Sequence, residues 1–100
     1  MTFAKTEHDF GRMAEGELVE YYFPFENTGD VVLKIDNAYG SCGCTVPEWP
    51  TEPIPPGGKG KIKVSFDSKG RRGVNEKTIT LLANTNPRTT VLKIKAQVTQ

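Results

Sequence analysis

The chain has 100 residues, of which 36% are apolar and 25% are charged. This length and composition predict one soluble globular domain over residues 1–100 and exclude a disordered chain. The 13 basic and 12 acidic side chains give a net charge of +1. We therefore expect no nucleic-acid partner, because nothing supplies a strongly basic field. No apolar run approaches the roughly 20 residues of a membrane helix, so we also expect no membrane insertion of this segment.

Apolar and polar residues alternate along most of the chain, which is the period of β-strands. A short leading strand is predicted over residues 6–10. The inward-facing positions of the later strands are, in chain order, Val19, Tyr21, Phe23 and Phe25; Val31, Leu33 and Ile35; Ile62, Val64 and Phe66; Ile79, Leu81 and Ala83; and Leu92, Ile94, Ala96 and Val98. Turn-forming residues separate these runs, and no window has a helical period. The pattern predicts an all-β fold, a seven-stranded antiparallel immunoglobulin-like β-sandwich, with a small barrel as the alternative.

Five motifs follow one another in order: HDFGRMAEGE, FPFENTGD, LKIDNAYGSCGCTVPEWP, PIPPGGKGKIKVSFDS and ITLLANT. Together they resemble the bacterial DUF1573 family of domains of unknown function, over residues 3–98. That family is similar to the ASH, major-sperm-protein and PapD-like sandwiches. The resemblance implies a seven-stranded sandwich and a periplasmic or cell-surface location. It implies no established activity, and fold alone supplies none.

The N-terminal residues MTFAKTEHDF contain no charged segment followed by an apolar one, so we expect no signal peptide here. Taken without the resemblance, this leaves two interpretations. The protein is cytoplasmic, or the segment is a mature domain that begins with an added methionine.

The segment SCGCTVPEWP, residues 41–50, holds both cysteines, Cys42 and Cys44, and the only tryptophan, Trp49. Two residues of extended strand span roughly 6.6 Å, which is near the upper limit of the Cα separation in a disulfide. A bridge therefore requires a tight turn at Gly43, and glycine permits one. One interpretation is a redox pair, although thioredoxin-type sites have two intervening residues and a following helix.

Metal binding is a second interpretation of Cys42 and Cys44. A soft ion such as Cu(I) accepts two thiolates. Zinc needs about four ligands, and the chain offers two cysteines and one histidine, His8. A metal shared between two chains would double the number of ligands. The third interpretation is structural, with the cysteines packed or bridged in a crossover between the sheets. Three states of the pair therefore remain open: packed thiols, a bridge or exposed thiolates.

No paired carboxylates or nucleophile–base spacing stand out, so we predict no enzyme, no catalytic residues and no cofactor. We predict a binding or scaffolding module that acts through a protein partner, with redox or metal handling by the cysteine pair as the alternative. An exposed edge strand or the end loops would make the contact. The candidate contact residues are Ser41, Thr45 and Trp49 in the cysteine segment, and Arg71 and Arg72 in a predicted hairpin tip over residues 69–73.

Overall fold

In a computed structural model that describes residues 1–100, the chain forms eight β-strands. They are β1 (Thr2–Phe3), β2 (Glu7–Ala14), β3 (Leu18–Glu26), β4 (Ile35–Gly40), β5 (Thr45–Glu48), β6 (Lys59–Asp67), β7 (Gly73–Ala83) and β8 (Thr89–Thr99). The structure has no helix long and apolar enough to cross a membrane. The predicted all-β sandwich is confirmed, with eight strands in place of seven.

Two four-stranded sheets form the sandwich. The first sheet has the order β1-β3-β6-β5 and the second has the order β2-β8-β7-β4. All strand pairs are antiparallel except β2 and β8, which are parallel. The exception arises because the chain passes from β1 to β2 between the sheets without a hairpin. β1 and β2 therefore run in the same direction. This direction is antiparallel to β3 in the first sheet and parallel to β8 in the second.

The core lies between the inner faces of the two sheets, where alternate residues of β3, β6, β7 and β8 meet. Phe23 is opposite Ile62 on one sheet, and Ile79 is opposite Leu92 on the other, and all four are fully buried. Burial of each such side chain stabilises the fold by about 1.5–3 kcal/mol. The alternation therefore identified the inward face of β6, β7 and β8 correctly.

The predicted strand with Val31, Leu33 and Ile35 facing inward forms only in part. Leu33 makes an isolated bridge to Ile54, and the regular strand begins at Ile35. Val31, predicted to face inward, is exposed. The cause is Asn27, whose Nδ2 donates to the Val31 carbonyl at 2.9 Å and holds residues 27–31 as a turn outside the sheet.

Two segments cross from one sheet to the other. Residues 41–44 join β4 to β5, which confirms the predicted crossover, although β5 itself occupies part of the cysteine segment. Residues 68–72 join β6 to β7, so the prediction of a hairpin tip there was wrong. Ser68 is fully buried at the start of this crossover, where its hydroxyl donates to the Glu17 carbonyl at 2.8 Å. That bond ties the crossover to the turn between β2 and β3.

Candidate functional site

Cys42 and Cys44 are joined by a disulfide bond in the crossover between β4 and β5. Their Cα atoms are 5.3 Å apart, inside the range that a disulfide requires. Cys42 is half-buried and Cys44 is buried. The backbone N–H of Cys44 donates to the Cys42 Sγ at 3.3 Å, which closes the three-residue loop further. Of the three states left open by the sequence, the structure has the bridged one.

Thr45 lies beneath the disulfide and is only 3% exposed. Its Oγ1 is 3.7 Å from the Cys44 Sγ, and its backbone N–H donates to the Cys42 carbonyl at 3.3 Å. Its backbone also approaches Gly40 so closely that a Cβ at position 40 would collide with the Thr45 carbonyl oxygen. Thr45 is therefore part of the packing of the crossover, and its side chain offers no surface to a partner, contrary to its choice as a contact residue.

The disulfide restricts the chemistry of this site. A bridged pair supplies neither a thiolate nucleophile nor a thiolate metal ligand. No group of three or more His, Cys, Asp or Glu side chains lies close enough together to hold a metal ion. Cys42 is the less buried residue of the pair.

Ser41 and Trp49 lie at the two ends of the cysteine segment. Ser41 is exposed, and its Oγ accepts a hydrogen bond from the Thr78 N–H at 3.2 Å. Trp49 is half-buried against the core and, with Pro47, lines a shallow cavity of about 240 Å³. The structure thus leaves part of each residue accessible, but it does not gather them into one site.

Arg71 and Arg72 are exposed on the crossover that follows β6. Arg72 donates to the Glu15 carboxylate, and this hydrogen bond, followed by one from the Gly70 N–H, lowers the pKa of Glu15 below its usual value. The guanidinium of Arg72 is therefore already engaged with Glu15. Cys44 accepts a hydrogen bond from the Asp67 N–H at 2.9 Å, so the two candidate segments adjoin at the end of β6.

His8 projects from β2 toward the first sheet. Its ring stacks on Tyr21 with centroids 3.7 Å apart and meets the edge of Phe10 at 4.8 Å. Burial, and secondarily the charge of Lys5, lower the pKa of His8. Its Nδ1 is buried and has no hydrogen-bond partner. This packing identifies His8 as part of an aromatic cluster between the sheets.

β3 has an unpaired backbone edge over residues 18–22, which we call the open edge. β1 pairs only with Phe25 and Glu26. The Asn27 N–H donates to Gly58 on the side of β6, and bonds alternate along an antiparallel ladder. The even-numbered residues of β3 therefore direct their N–H and C=O groups away from β6. Three of them, Leu18, Glu20 and Tyr22, have no hydrogen-bond partner there.

The neighbouring β6 supports this assignment independently. The Asp67 N–H donates to the Cys44 carbonyl, so Asp67 faces β5 and its partner Leu18 cannot bond to β6. Pro24 follows the open edge at the next outward-facing position. Proline has no N–H to donate, and within sheets it is confined to such edge positions.

The β5 edge lacks free donors. The bond from Asp67 to Cys44 directs the even-numbered residues of β5 toward β6, so Thr45 and Pro47 face outward. The Thr45 N–H is bonded to Cys42, and Pro47 has none. A partner strand that paired along β5 would therefore find no free N–H donor for its carbonyl groups.

The two edges of the second sheet are interrupted. In β4 the Ser41 N–H donates to Thr78, so Ala38 and Gly40 face outward. The Ala38 N–H is taken by the Asn37 side chain at 2.9 Å. β2 has a register shift between Asp9 and Arg12, and such bulges protect edges from pairing. Residues 18–22 are thus the one edge with three successive free positions.

A family model described as "Protein of unknown function (DUF1573)" matches residues 1–98. The chain belongs to the DUF1573 family. This confirms the resemblance carried by the motifs in the sequence. No curated protein matches the chain.

Solved structures with the same fold come from distant proteins. A Porphyromonas gingivalis W83 protein of unknown function has a TM-score of 0.81 and 19% identity, covering 93% of this chain and 44% of its own. The ASH/PapD-like domain 7 of human CEP192 has a TM-score of 0.78 and 13% identity, covering 99% and 84%. The Vibrio cholerae VesB protease has a TM-score of 0.73 and 11% identity, covering 99% and 31%.

These likenesses show the fold alone, since every identity is below 20%. The DUF1573 domain spans less than half the length of the Porphyromonas gingivalis chain and less than a third of VesB. VesB as a whole is called a protease, and the match covers less than a third of it, so that activity is not attributed to this chain.

Sequence reasoning found the cysteine crossover but missed the open edge as a site. The signal was present: Leu18 and Tyr22 are apolar residues in the outward phase of β3, and both are exposed, by 63% and 45%. What the alternation lacked was the sheet order, which determines whether a strand has a free side.

Proposed function

We propose that this domain is a non-catalytic protein-binding module that works outside the cytoplasm and takes an extended segment of its partner on the open edge of β3. The observation that carries the proposal is the run of three free backbone positions at Leu18, Glu20 and Tyr22. A strand added there gains a ladder of main-chain hydrogen bonds, as in other cases of β-strand addition. The fold shared with the ASH/PapD-like domain is compatible with a binding role.

A site-specific photocrosslinker tests this proposal in cells that make the full-length protein. We would place it at Tyr22 on the open edge, at Trp49 and Arg71 in the two crossovers, and at Val91 as the control. Val91 is 50% exposed, similar to Tyr22, but lies on β8 between two other strands. We expect a crosslinked protein partner at Tyr22 and none at Val91.

The other patterns contradict the proposal in different ways. Crosslinks confined to Trp49 or Arg71 would show that the partner contacts the crossovers, and they would refute the open edge as the binding site. No crosslink at any position would refute the binding function itself. Substitution of Glu20→Pro in the Tyr22 crosslinking protein provides a further check, because it removes the central N–H of the open edge and should abolish the crosslink.

The disulfide supports the extracytoplasmic part of the proposal, because such bonds persist in oxidising compartments and are rare in the cytoplasm. Acid-quenched cells treated with maleimide before and after reduction give the test. We expect Cys42 and Cys44 to react only after reduction. Two cysteines that react before reduction would place the domain in a reducing compartment.

The same bond favours a second candidate function, thiol–disulfide exchange with a dithiol reductant. A reductant thiolate would attack the sulfur of Cys42, the less buried residue of the pair, break the Cys42–Cys44 bond and release Cys44 as a thiolate. The second thiol of the reductant would then resolve the mixed disulfide and release Cys42. The reductant ends as a disulfide, and the domain has gained two electrons and two protons.

The reduction potential of the pair separates the two candidates. Equilibration with reduced and oxidised dithiothreitol, followed by acid quenching and mass analysis, measures it. A value between about −230 and −120 mV would match exchange proteins and support the redox candidate. A value below about −300 mV would be that of a structural disulfide and would refute it.

A further inference from the structure

We propose that the segment bound on the open edge runs antiparallel to β3 and carries a basic residue between two apolar residues, with one residue between each. This inference rests on the proposed function and identifies the chemistry of its partner. It follows from three properties of the open edge: its direction, its length and the side chains beside it.

The direction follows from β1. β1 is antiparallel to β3 and pairs with Phe25 and Glu26, after which the chain leaves for the second sheet. In the register of that pair, Ala4 is level with Pro24, so an added strand would begin beside Ala4 and continue along the line that β1 abandons. It would then exchange paired backbone hydrogen bonds with Tyr22, Glu20 and Leu18 in turn.

The length follows from the two ends of the open edge. Pro24 and Ala4 limit it at one end. At the other end, β3 begins at Leu18, and Glu17 before it belongs to the turn from β2, where its N–H donates to the Ala14 carbonyl. The edge therefore accommodates about five residues of an extended chain, with three of them paired directly.

The side chains give the pattern. Leu18, Glu20 and Tyr22 point to the outer face of the first sheet, opposite in phase to the buried Phe23. Directly opposed cross-strand residues stabilise a pair when both are apolar or when their charges are opposite. The complement of an apolar, acidic and apolar series is an apolar, basic and apolar series.

The negative charge of Glu20 is only partly neutralised within the domain, so it can attract a basic residue of a partner. Its carboxylate is 3.2 Å from the Lys63 ammonium, but that ammonium is also 3.5 Å from Glu48. One cation thus serves two carboxylates, and the group of three carries one net negative charge. Lys61, the next cation along the outer face of β6, lies over the Tyr22 ring at 4.6 Å.

A second copy of the chain fits the open edge less well than a basic segment. Antiparallel self-pairing centred on Glu20 would set Leu18 opposite Tyr22 but would also set Glu20 opposite Glu20. Like charges in directly opposed positions destabilise a pair.

Synthetic peptides test the proposed pattern on the isotopically labelled domain. The probe is Gly-Ser-Val-Thr-Arg-Thr-Val-Ser-Gly, and the matched control has Glu in place of Arg. We expect the Arg peptide to shift the amide signals of Leu18, Glu20 and Tyr22 and to bind about two- to fivefold more tightly than the Glu peptide. With Glu20→Lys the preference should reverse, and with Glu20→Gln it should disappear.

N-methylation of single peptide bonds tests the ladder itself. The Arg amide faces β3 in the proposed register, whereas the amide of each neighbouring Thr faces away. Methylation at Arg should weaken binding about two- to tenfold, and methylation at either Thr should have a smaller effect. Equal losses at all three sites would overturn the strand-pairing geometry.

The remaining outcomes separate this inference from the proposed function. If the Tyr22 crosslink forms but the Arg and Glu peptides bind equally, the edge is a binding site and the basic pattern is wrong. If neither peptide binds, the pattern is also wrong, and the crosslink alone decides the function. Dimers in sedimentation that Glu20→Pro dissolves would replace the basic segment with a second copy.

Discussion

Asn27 allows a quantitative test of how a buried side chain organises the end of the sandwich. It is 3% exposed, and its Nδ2 donates to the carbonyls of Val31 and Ile54, each at 2.9 Å. Its Oδ1 accepts from the Gly29 N–H at 3.1 Å. Asn27→Ala removes all three bonds. At about 1 kcal/mol net for each bond, the expected loss of unfolding free energy is about 3 kcal/mol.

That loss is large for a domain of this size. The total stability of such domains is about 5–15 kcal/mol, and 1 kcal/mol corresponds to roughly 4–8 °C in Tm. We therefore expect the Tm to fall by about 12–24 °C. Urea titration followed by the fluorescence of Trp49, the only tryptophan, measures the free energy directly.

Asn84 provides the matched control. Its Nδ2 donates to the Val32 carbonyl at 2.9 Å and its Oδ1 accepts from the Lys34 N–H at 2.7 Å, but the residue is exposed. Water can replace these bonds, so Asn84→Ala should cost less than about 1 kcal/mol. Equal losses for the two variants would refute the reasoning, because burial would then have no influence on the cost.

A carboxyl group at position 27 adds a test of sign. Asn27→Asp would bury a carboxylate against the Val31 and Ile54 carbonyl oxygens, which raises the pKa of the introduced group above the unfolded value of about 3.9. A raised folded-state pKa means that stability is lost as the pH rises. The deficit relative to the wild type should be smaller at pH 3.5 than at pH 7, and a deficit independent of pH would contradict this account.

Two further predictions concern His8 and the glycines of the crossover. Because burial lowers the pKa of His8 from 6.5, its contribution to stability is present above pH 6.5 and is lost as the pH falls below it. Urea midpoints should therefore decrease from pH 8 to pH 5.5, and His8→Phe should flatten that decrease; an unchanged slope would assign it to other groups. Gly40→Ala should cost about 1–3 kcal/mol by thermal melting, since its Cβ meets the backbone of β5. Gly43→Ala, where a Cβ meets nothing within 4 Å, should stay within about 0.5 kcal/mol, and equal costs would show that the contact at position 40 relaxes.

The sequence predicted which face of each strand is buried better than it predicted which strands are neighbours in a sheet. Ile62, Val64 and Phe66 are all fully buried, as the two-residue period of β6 requires. Val31 fits the same period but is exposed, because a side-chain hydrogen bond from Asn27 stops the strand before its local pattern would. Periodicity records which side of a strand is apolar, and it contains no information about a turn imposed by a residue four positions away.

Strand order was the larger omission. The turn formers at residues 68–73 look the same in a hairpin and in a crossover, so the local sequence could not show that β6 and β7 belong to different sheets. The same missing order concealed the open edge. The cysteine segment, in contrast, could be identified from the sequence, because both cysteines and the only tryptophan cluster within residues 41–50.

The cysteine crossover and the open edge lie at opposite edges of the sandwich. Together they determine which edge of the first sheet can accept a strand. His8 of β2 stacks on Tyr21 of β3 on one side, whereas residues 41–44 join β4 to β5 on the other. On the cysteine side, Pro47 and the bonded Thr45 N–H leave β5 without a donor. Exposed edges invite unwanted pairing, and proteins protect them with prolines and bulges. The crossover therefore acts as edge protection, and an added strand finds successive free donors only on the side of β2 and β3.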